Sequence, residues 1–249
     1  MMKRFAALFV YVWLNTVPVI AQYSHVLELF TYDGCGSCIL ANRKIKRLHD
    51  EGYFEKNGIL QLSYHVDFEA SDGFTDSLDS EFNRNRLLTY RNGGLIDGLY
   101  TPVLVLDGKI AFAANRILKL DSILGAASLI LNPENKIIHI TDAVVLDAQI
   151  NVSSSIDTLI HPLSEVEMVY LLVNKEHRVH ILSGENKGAM RYDVNAVLAA
   201  HVQDVLLLQN AYLAMPSPKP FDIKQWAVVA LLVHRGTKEI MGFDVFRLQ

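Results

Sequence analysis

The chain has 249 residues, 51% of them apolar and 20% charged. That is enough apolar material for a packed core, and it excludes a disordered or low-complexity protein. A formal charge of −4 argues against nucleic acid as a partner, because phosphate binding needs a concentrated basic surface.

The start reads as a targeting segment. A short basic "MMKR" precedes the apolar "FAALFVYVWLNTVPVIA", with Val19 and Ala21 at the positions a signal peptidase reads. Asn15 and Pro18 interrupt a stretch already short for a membrane span. The expectation is a cleavable signal over residues 1–21, a periplasmic or secreted protein, and no stable membrane span after cleavage. Loss of Lys3 and Arg4 would leave 21 basic against 27 acidic residues, a net of −6.

"HVLELF", residues 25–30, reads as a buried strand, broken by "TYDG". From Cys35 to about Asp50 the pattern is helical: Cys38, Ala41, Ile45 and Leu48 form one apolar stripe. The basic residues of "RKIKR" fall mostly elsewhere, as a solvated helix face, and Gly52 ends the helix. "GILQLSYHVDF", 58–68, is a second strand, so the two strands should pair in parallel with a right-handed crossover. Residues 69–99 are polar, with a helical stretch in "SLDSEFNRNRLLTYR". "TPVLVLDGKIAFA" reads as a hairpin turning at Asp107-Gly108, and "NRILKLDSILGAASLIL" as an amphipathic helix. "NPEN", 132–135, is a natural boundary. Beyond it come four strand-rich stretches, from "KIIHITDAVVLDAQINVSS" to "EIMGFDVFRL", and "MRYDVNAVLAAHV", which suits a short helix or a strand. The domain expectation is therefore an α/β domain over 22–132, with a helical insertion at about 69–99, and a mainly β, sandwich-like domain over 133–249.

The two cysteines, Cys35 and Cys38, are the only ones in the chain. A structural staple is a poor explanation, because a bridge between them closes almost no loop. Cys-x-x-Cys is half of a zinc site, but there is no second pair, and the histidines form no cluster with ligand spacing. Two thiolates could hold a soft ion such as Cu(I). A third reading is redox. A helix N-terminus carries partial positive charge and eases ionisation of a thiol placed there, which makes Cys35 the attacking residue. Cys38, one turn in and on the apolar stripe, would resolve the mixed disulfide.

His65 and Asp67 lie two apart at the C-terminal end of the second strand, on one face and on the same edge as Cys35. They are either a proton relay or polar rim for the cysteines, or polar residues tying down the next loop. Asp72, Asp76, Asp79 and Glu81 read as a solvated helix face or cap. His177 and His180 read as surface residues of a strand and its turn, and "SGENKG", 183–188, as a tight turn.

A strand, then Cys-x-x-Cys at a helix start, then strand, helix and a Pro-initiated hairpin resembles the thioredoxin fold. "LELFTYDGCGSC" and "YTPVLVLDG" carry the likeness. The resemblance implies a cis bond between Thr101 and Pro102, with Pro102 facing the cysteines. "VLELFTYDGCGSC", "YHVDF", "YTPVLVLDG" and "SGENKG" together resemble the exported bacterial family known as domain of unknown function 1223. That family combines a signal peptide, a thioredoxin-like domain and a smaller C-terminal β region. Gly34 stands where thioredoxins usually carry Trp, and Gly36-Ser37 replaces their Gly-Pro. The functional expectation is an exported thiol–disulfide oxidoreductase acting on protein or small-molecule disulfides, with catalytic Cys35, Cys38, Thr101 and Pro102. It needs no cofactor beyond its own disulfide. The alternative is a binding or copper-handling module with Cys35 and Cys38 as ligands.

Overall fold

The computed structural model describes residues 23–68, 76–127, 138–146, 149–157, 162–182, 186–205, 211–214 and 222–248. The signal-like start, residues 69–75 with Asp72, and "NPEN" lie outside them.

Strand β1 (His25–Thr31) leads through the Cys-x-x-Cys turn into α1 (Cys38–Asp50) and the short α2 (Tyr53–Lys56), then into β2 (Ile59–His65). Helix α3 (Glu81–Asn92) precedes the hairpin β3 (Val103–Leu106) and β4 (Ile110–Ala113). A 3-10 helical stretch, Ala114–Lys119, runs into α4 (Leu120–Ala127). The remainder is β: β5 (Ile138–Leu146), β6 (Gln149–Ile156), β7 (Val166–His180), β8 (Met190–Asp204), β9 (Ala211–Ala214), β10 (Trp226–His234) and β11 (Ile240–Arg247).

Local chemistry explains most of these boundaries. α1 begins at Cys38 rather than at Cys35, which sits in the preceding turn. Its buried stripe is Cys38, Ala41 and Ile45, joined by Ile39 and Asn42. Gly52 follows the helix in a left-handed conformation, φ +67, which costs glycine nothing. Ser80 caps α3, its side chain accepting from Asn83 N–H at 3.1 Å. In the β3–β4 turn Asp107 and Gly108 both have positive φ. A Cβ at Gly108 would also collide with the backbone of Lys238 and Glu239.

Eight strands form one mixed sheet in the order β11-β10-β7-β8-β2-β1-β3-β4. β1 and β2 pair in parallel from His25↔Ile59 to Thr31↔His65, as the crossover demands. Of the C-terminal strands, β5, β6 and β9 form a small separate sheet, while β7, β8, β10 and β11 extend the large one. β8 joins β2 in parallel through Ser63↔Ala196, so the sheet runs unbroken across the expected boundary at 133. The stretch holding "MRYDVNAVLAAHV" is a long strand. At one end the sheet curls on itself: Ile240 N–H donates to Asp107 C=O at 3.0 Å, docking the β10–β11 turn on the β3–β4 turn.

The two faces bury different partners. On one face Phe30, Leu62, Tyr64, Val169, Leu171 and Val229 share a core with Leu87 and Tyr90 of α3. On the other, Leu27, Leu29 and Leu104 pack against Ala41 and Ile45 of α1, Phe54 of α2 and Leu120 of α4. Further along that face, the small sheet β5-β6-β9 lies on β7 and β10, with Ile150, Val152 and Leu213 against Tyr170, Leu172 and Ala230. That pair of sheets is the sandwich-like element. Strand alternation sorts β7 cleanly: Met168, Tyr170 and Leu172 face one core, Val169, Leu171 and Val173 the other. Among the described residues no helix is long and apolar enough to cross a membrane.

Candidate functional site

The C-terminal end of β1 delivers Thr31 and the turn Tyr32–Ser37, and α1 starts directly behind it. Cys35 and Cys38 are joined as a disulfide, with Cα atoms 5.3 Å apart. Cys35 is partly exposed, while Cys38 is 1% exposed. The Cys35 sulfur sits at the helix entrance, where Cys38 N–H donates to it at 3.1 Å. It also lies 3.3 Å from Ser37 Oγ and 3.6 Å from Thr101 C=O. The Thr101–Pro102 bond is cis. The sequence separates these residues by more than sixty positions, and the β1–β3 pairing brings them together. Leu40, Leu99 and Tyr100, close in the chain to Cys38 and Thr101, are exposed apolar side chains.

Beneath the disulfide turn lies a closed set of charges. His65 is fully buried, with Nδ1 2.7 Å from Asp76 Oδ2 and Nε2 3.5 Å from Asp193 Oδ1. Arg191 is ion-paired with Asp33, and its Nε donates to Asp193 Oδ2 at 2.8 Å. Asp33 N–H donates to Asp76 Oδ2 at 3.0 Å. Asn42, on α1 one turn after Cys38, donates to Asp193 at 2.5 Å and accepts from Thr31 Oγ1 at 2.9 Å. Half-buried His177 approaches Asp193 Oδ2 at 3.3 Å.

The electrostatics follow from this packing. Burial alone would lower the pKa of His65, but Asp193 and Asp76 on either side outweigh it and hold the imidazole up at about 10. Burial opposes ionisation of Asp193 too, yet His65, His177 and Arg191 press its carboxyl well below the usual range. Burial draws Arg191 down from its ordinary value. The set thus gathers three carboxylates around one guanidinium and the His65 ring, with His177 at its edge.

Asp33, His65 and Asp76 lie close enough to share a metal ion. The charges argue against that use. Arg191 already neutralises Asp33, and both His65 nitrogens face carboxylates, which the imidazolium satisfies and a metal would have to displace. Of the anticipated pair, His65 is a buried member of the cluster rather than a rim residue. Asp67 falls past the strand end, its N–H donating to Asp79 Oδ1 at 2.9 Å. Asp76 is not on a solvated face: it is 1% exposed, held against His65 at the end of β2, which also bridges to Asp79.

Three participants came from the C-terminal half and were not anticipated. Arg191 and Asp193 stand two apart on β8, so strand alternation points both at the cluster. A charged pair at that spacing in an apolar run was the available signal. Asn186, in the presumed tight turn, reaches across with Nδ2 to Asp33 C=O at 3.0 Å and Cys35 C=O at 2.8 Å. The β7–β8 hairpin therefore holds the backbone of the cysteine turn.

The chain belongs to the family described as protein of unknown function DUF1223, whose model matches residues 26–233. No curated protein matches it. Its structure is similar to the crystal structure of protein AGR_C_4864 from Agrobacterium tumefaciens, at 19% identity and a TM-score of 0.59, over 90% of this chain and 94% of that one. At that identity the likeness concerns the fold. A domain of the outer membrane lipoprotein Omp28 from Porphyromonas gingivalis matches 45% of this chain and 88% of its own length, at 16% identity and a TM-score of 0.26.

Proposed function

We propose that the protein is an exported thiol–disulfide oxidoreductase built on a thioredoxin-like arrangement, with Cys35 as nucleophile and Cys38 as resolving thiol. The observation that carries this is the asymmetry of the pair. The Cys35 sulfur is accessible, at a helix N-terminus and beside the cis Thr101–Pro102 bond, while Cys38 is enclosed. In the reaction the Cys35 thiolate attacks one sulfur of a partner disulfide and the other sulfur leaves as a thiolate. Cys38 then attacks Cys35, forming the intramolecular disulfide and releasing the partner as a dithiol. The partner gains two electrons and the protein loses two. The exposed Leu40, Leu99 and Tyr100 favour a protein partner over a small polar disulfide.

The buried charge bears on direction. Three carboxylates gathered under the cysteine turn disfavour thiolates there and so favour the disulfide. The couple is expected toward the reducing end of the range spanned by known exchange proteins, nearer −270 than about −120 mV.

The test is to equilibrate the protein against glutathione buffers and to follow partner reduction with Cys35→Ser and Cys38→Ser. A reversible couple, no turnover with Cys35→Ser and a trapped mixed disulfide with Cys38→Ser are expected. A bond resisting reduction below roughly −300 mV, with no turnover, sinks the proposal. Stoichiometric Cu(I) binding by the reduced protein without turnover would transfer the two thiols to metal handling.

A further inference from the structure

The far end of the sheet, roughly 20 Å along β1 and β2 from the disulfide, holds a second feature that owes nothing to the cysteines. β2 and β8 share one parallel register pair, Ser63↔Ala196. Next to it Asn195 takes a left-handed conformation, φ +45, and the two strands diverge. Side chains replace the missing ladder: Asn195 Nδ2 donates to Gln61 C=O at 2.8 Å, and Ser63 Oγ to Val194 C=O at 3.0 Å. The divergence opens a cavity of about 400 Å³, within the range of small-molecule sites. Its walls come from both sides of the sheet: Phe54, Ile59 and Val194 from one core, Val173, Val229 and Val245 from the other.

Two observations point to a ligand class. Gln61 lines the cavity and is 1% exposed, and its Oε1 has no hydrogen-bond partner, while its Nε2 is taken up by Ser63. A buried acceptor of this kind asks for a donor. The cations Lys175, Lys224 and Arg247 also line the cavity, and none has an ion-pair partner among the described residues. Of the two acids present, Glu55 and Glu176, the second is engaged with Arg178. The balance favours a negative charge.

We propose that this cavity binds a small organic anion carrying an N–H or O–H donor beside an apolar body. The charge meets Lys175, Lys224 and Arg247, the donor meets Gln61 Oε1, and the apolar body lies against the valines.

Isothermal titration of the purified protein with N-acetylphenylalanine tests it, against the neutral N-acetylphenylalaninamide and against 3-phenylpropionate, which lacks the N–H. The acid is expected to bind, and the amide and 3-phenylpropionate to bind at least tenfold more weakly. Lys175→Glu/Arg247→Glu should weaken the acid at least tenfold. Arg247 is exposed and Lys175 partly so, so the thermal midpoint should stay put. Lys224→Glu, at an exposed position, should act in the same direction and serves if the double variant folds poorly. Absence of binding at millimolar acid, or equal binding of acid and amide with no effect of charge reversal, overturns the site. Equal binding of 3-phenylpropionate and the acid overturns the role of Gln61.

Discussion

Two of the buried charge groups among the described residues are built differently. Under α3, Glu28 of β1 meets Arg86 in a two-point pair, Nε to Oε1 at 2.5 Å and Nη2 to Oε2 at 3.1 Å. Tyr90 adds a hydroxyl to Glu28 at 2.5 Å, and the guanidinium lies near the rings of Tyr64 and Tyr90. Burial works to lower the pKa of Arg86, but Glu28 outweighs it and raises it. The pair is neutral, and it joins one helix to one strand. The set beneath the disulfide is rich in carboxylates, and it draws on the cysteine turn, α1, β2, the loop before α3, β7 and β8. A neutral two-point pair fastens a helix to a sheet. A carboxylate-rich cluster shared by six segments makes the environment of the cysteines depend on both halves of the chain.

Removing one cation from each set breaks the comparison most strongly. Arg191→Met leaves Asp33, Asp76 and Asp193 with only His65 buried among them, and Arg86→Met leaves Glu28 with Tyr90. Each should cost about 3–5 kcal/mol, because an unpaired buried charge remains. The difference lies in rescue. Glu28→Leu/Arg86→Met removes both members of a closed pair and should return stability to near the wild type or above it. Asp33→Leu/Arg191→Met still leaves two carboxylates on one imidazolium and should stay destabilised. Urea midpoints of the four variants decide it. Equal rescue of both sets would mean that the cluster beneath the disulfide is a structural pair like the other.

The pH dependence sharpens the contrast. His65 has a folded pKa of about 10, raised from 6.5. Its stabilising contribution is therefore complete below pH 6.5 and is lost as pH rises through 10. Buried Tyr64 and Tyr90, whose pKa values are pushed well above 10, destabilise the fold only above pH 10, where unfolded tyrosines ionise. The loss between pH 6.5 and 10 thus belongs to His65. His65→Gln should be less stable at pH 6 and should show a flatter stability profile over that window. A His65→Gln profile parallel to the wild type would show that His65 is neutral in the fold.

Much of the first half was legible because its signals are local. The stripe Cys38, Ala41 and Ile45 and the Asp107-Gly108 turn are set by neighbours within a few residues. The joining of the two halves was not legible. Within the sheet it rests on one parallel register pair between residues 63 and 196, and "NAVLAAHV" carries no clear period of its own. The cysteines and the Thr101-Pro102 pair could be singled out, since their chemistry is rare. Asp76 could not, because nothing near it in the chain reveals that it pairs with buried His65. Asn186 looked like turn chemistry, and its turn does include a left-handed glycine, Gly188 at φ +85, but its amide has a second use.

That use allows a smaller and more selective test. Asn83 and Asn186 both donate side-chain N–H groups to two backbone carbonyls. Asn83 binds Leu78 and His65 near its own helix start, whereas Asn186 spans from the β7–β8 hairpin to Asp33 and Cys35. Each alanine variant should lose about 1–2 kcal/mol, at the usual net worth of two hydrogen bonds. The redox couple should separate them. The bonds of Asn186 hold the carbonyl of Cys35 itself, so they stabilise whichever oxidation state keeps that carbonyl in place. Asn186→Ala should therefore shift the glutathione equilibrium of the Cys35–Cys38 pair, while Asn83→Ala should leave it unmoved at similar cost in stability. Identical equilibria in the two variants would reduce the hairpin to a packing element and leave the control of the disulfide to the charges beneath it.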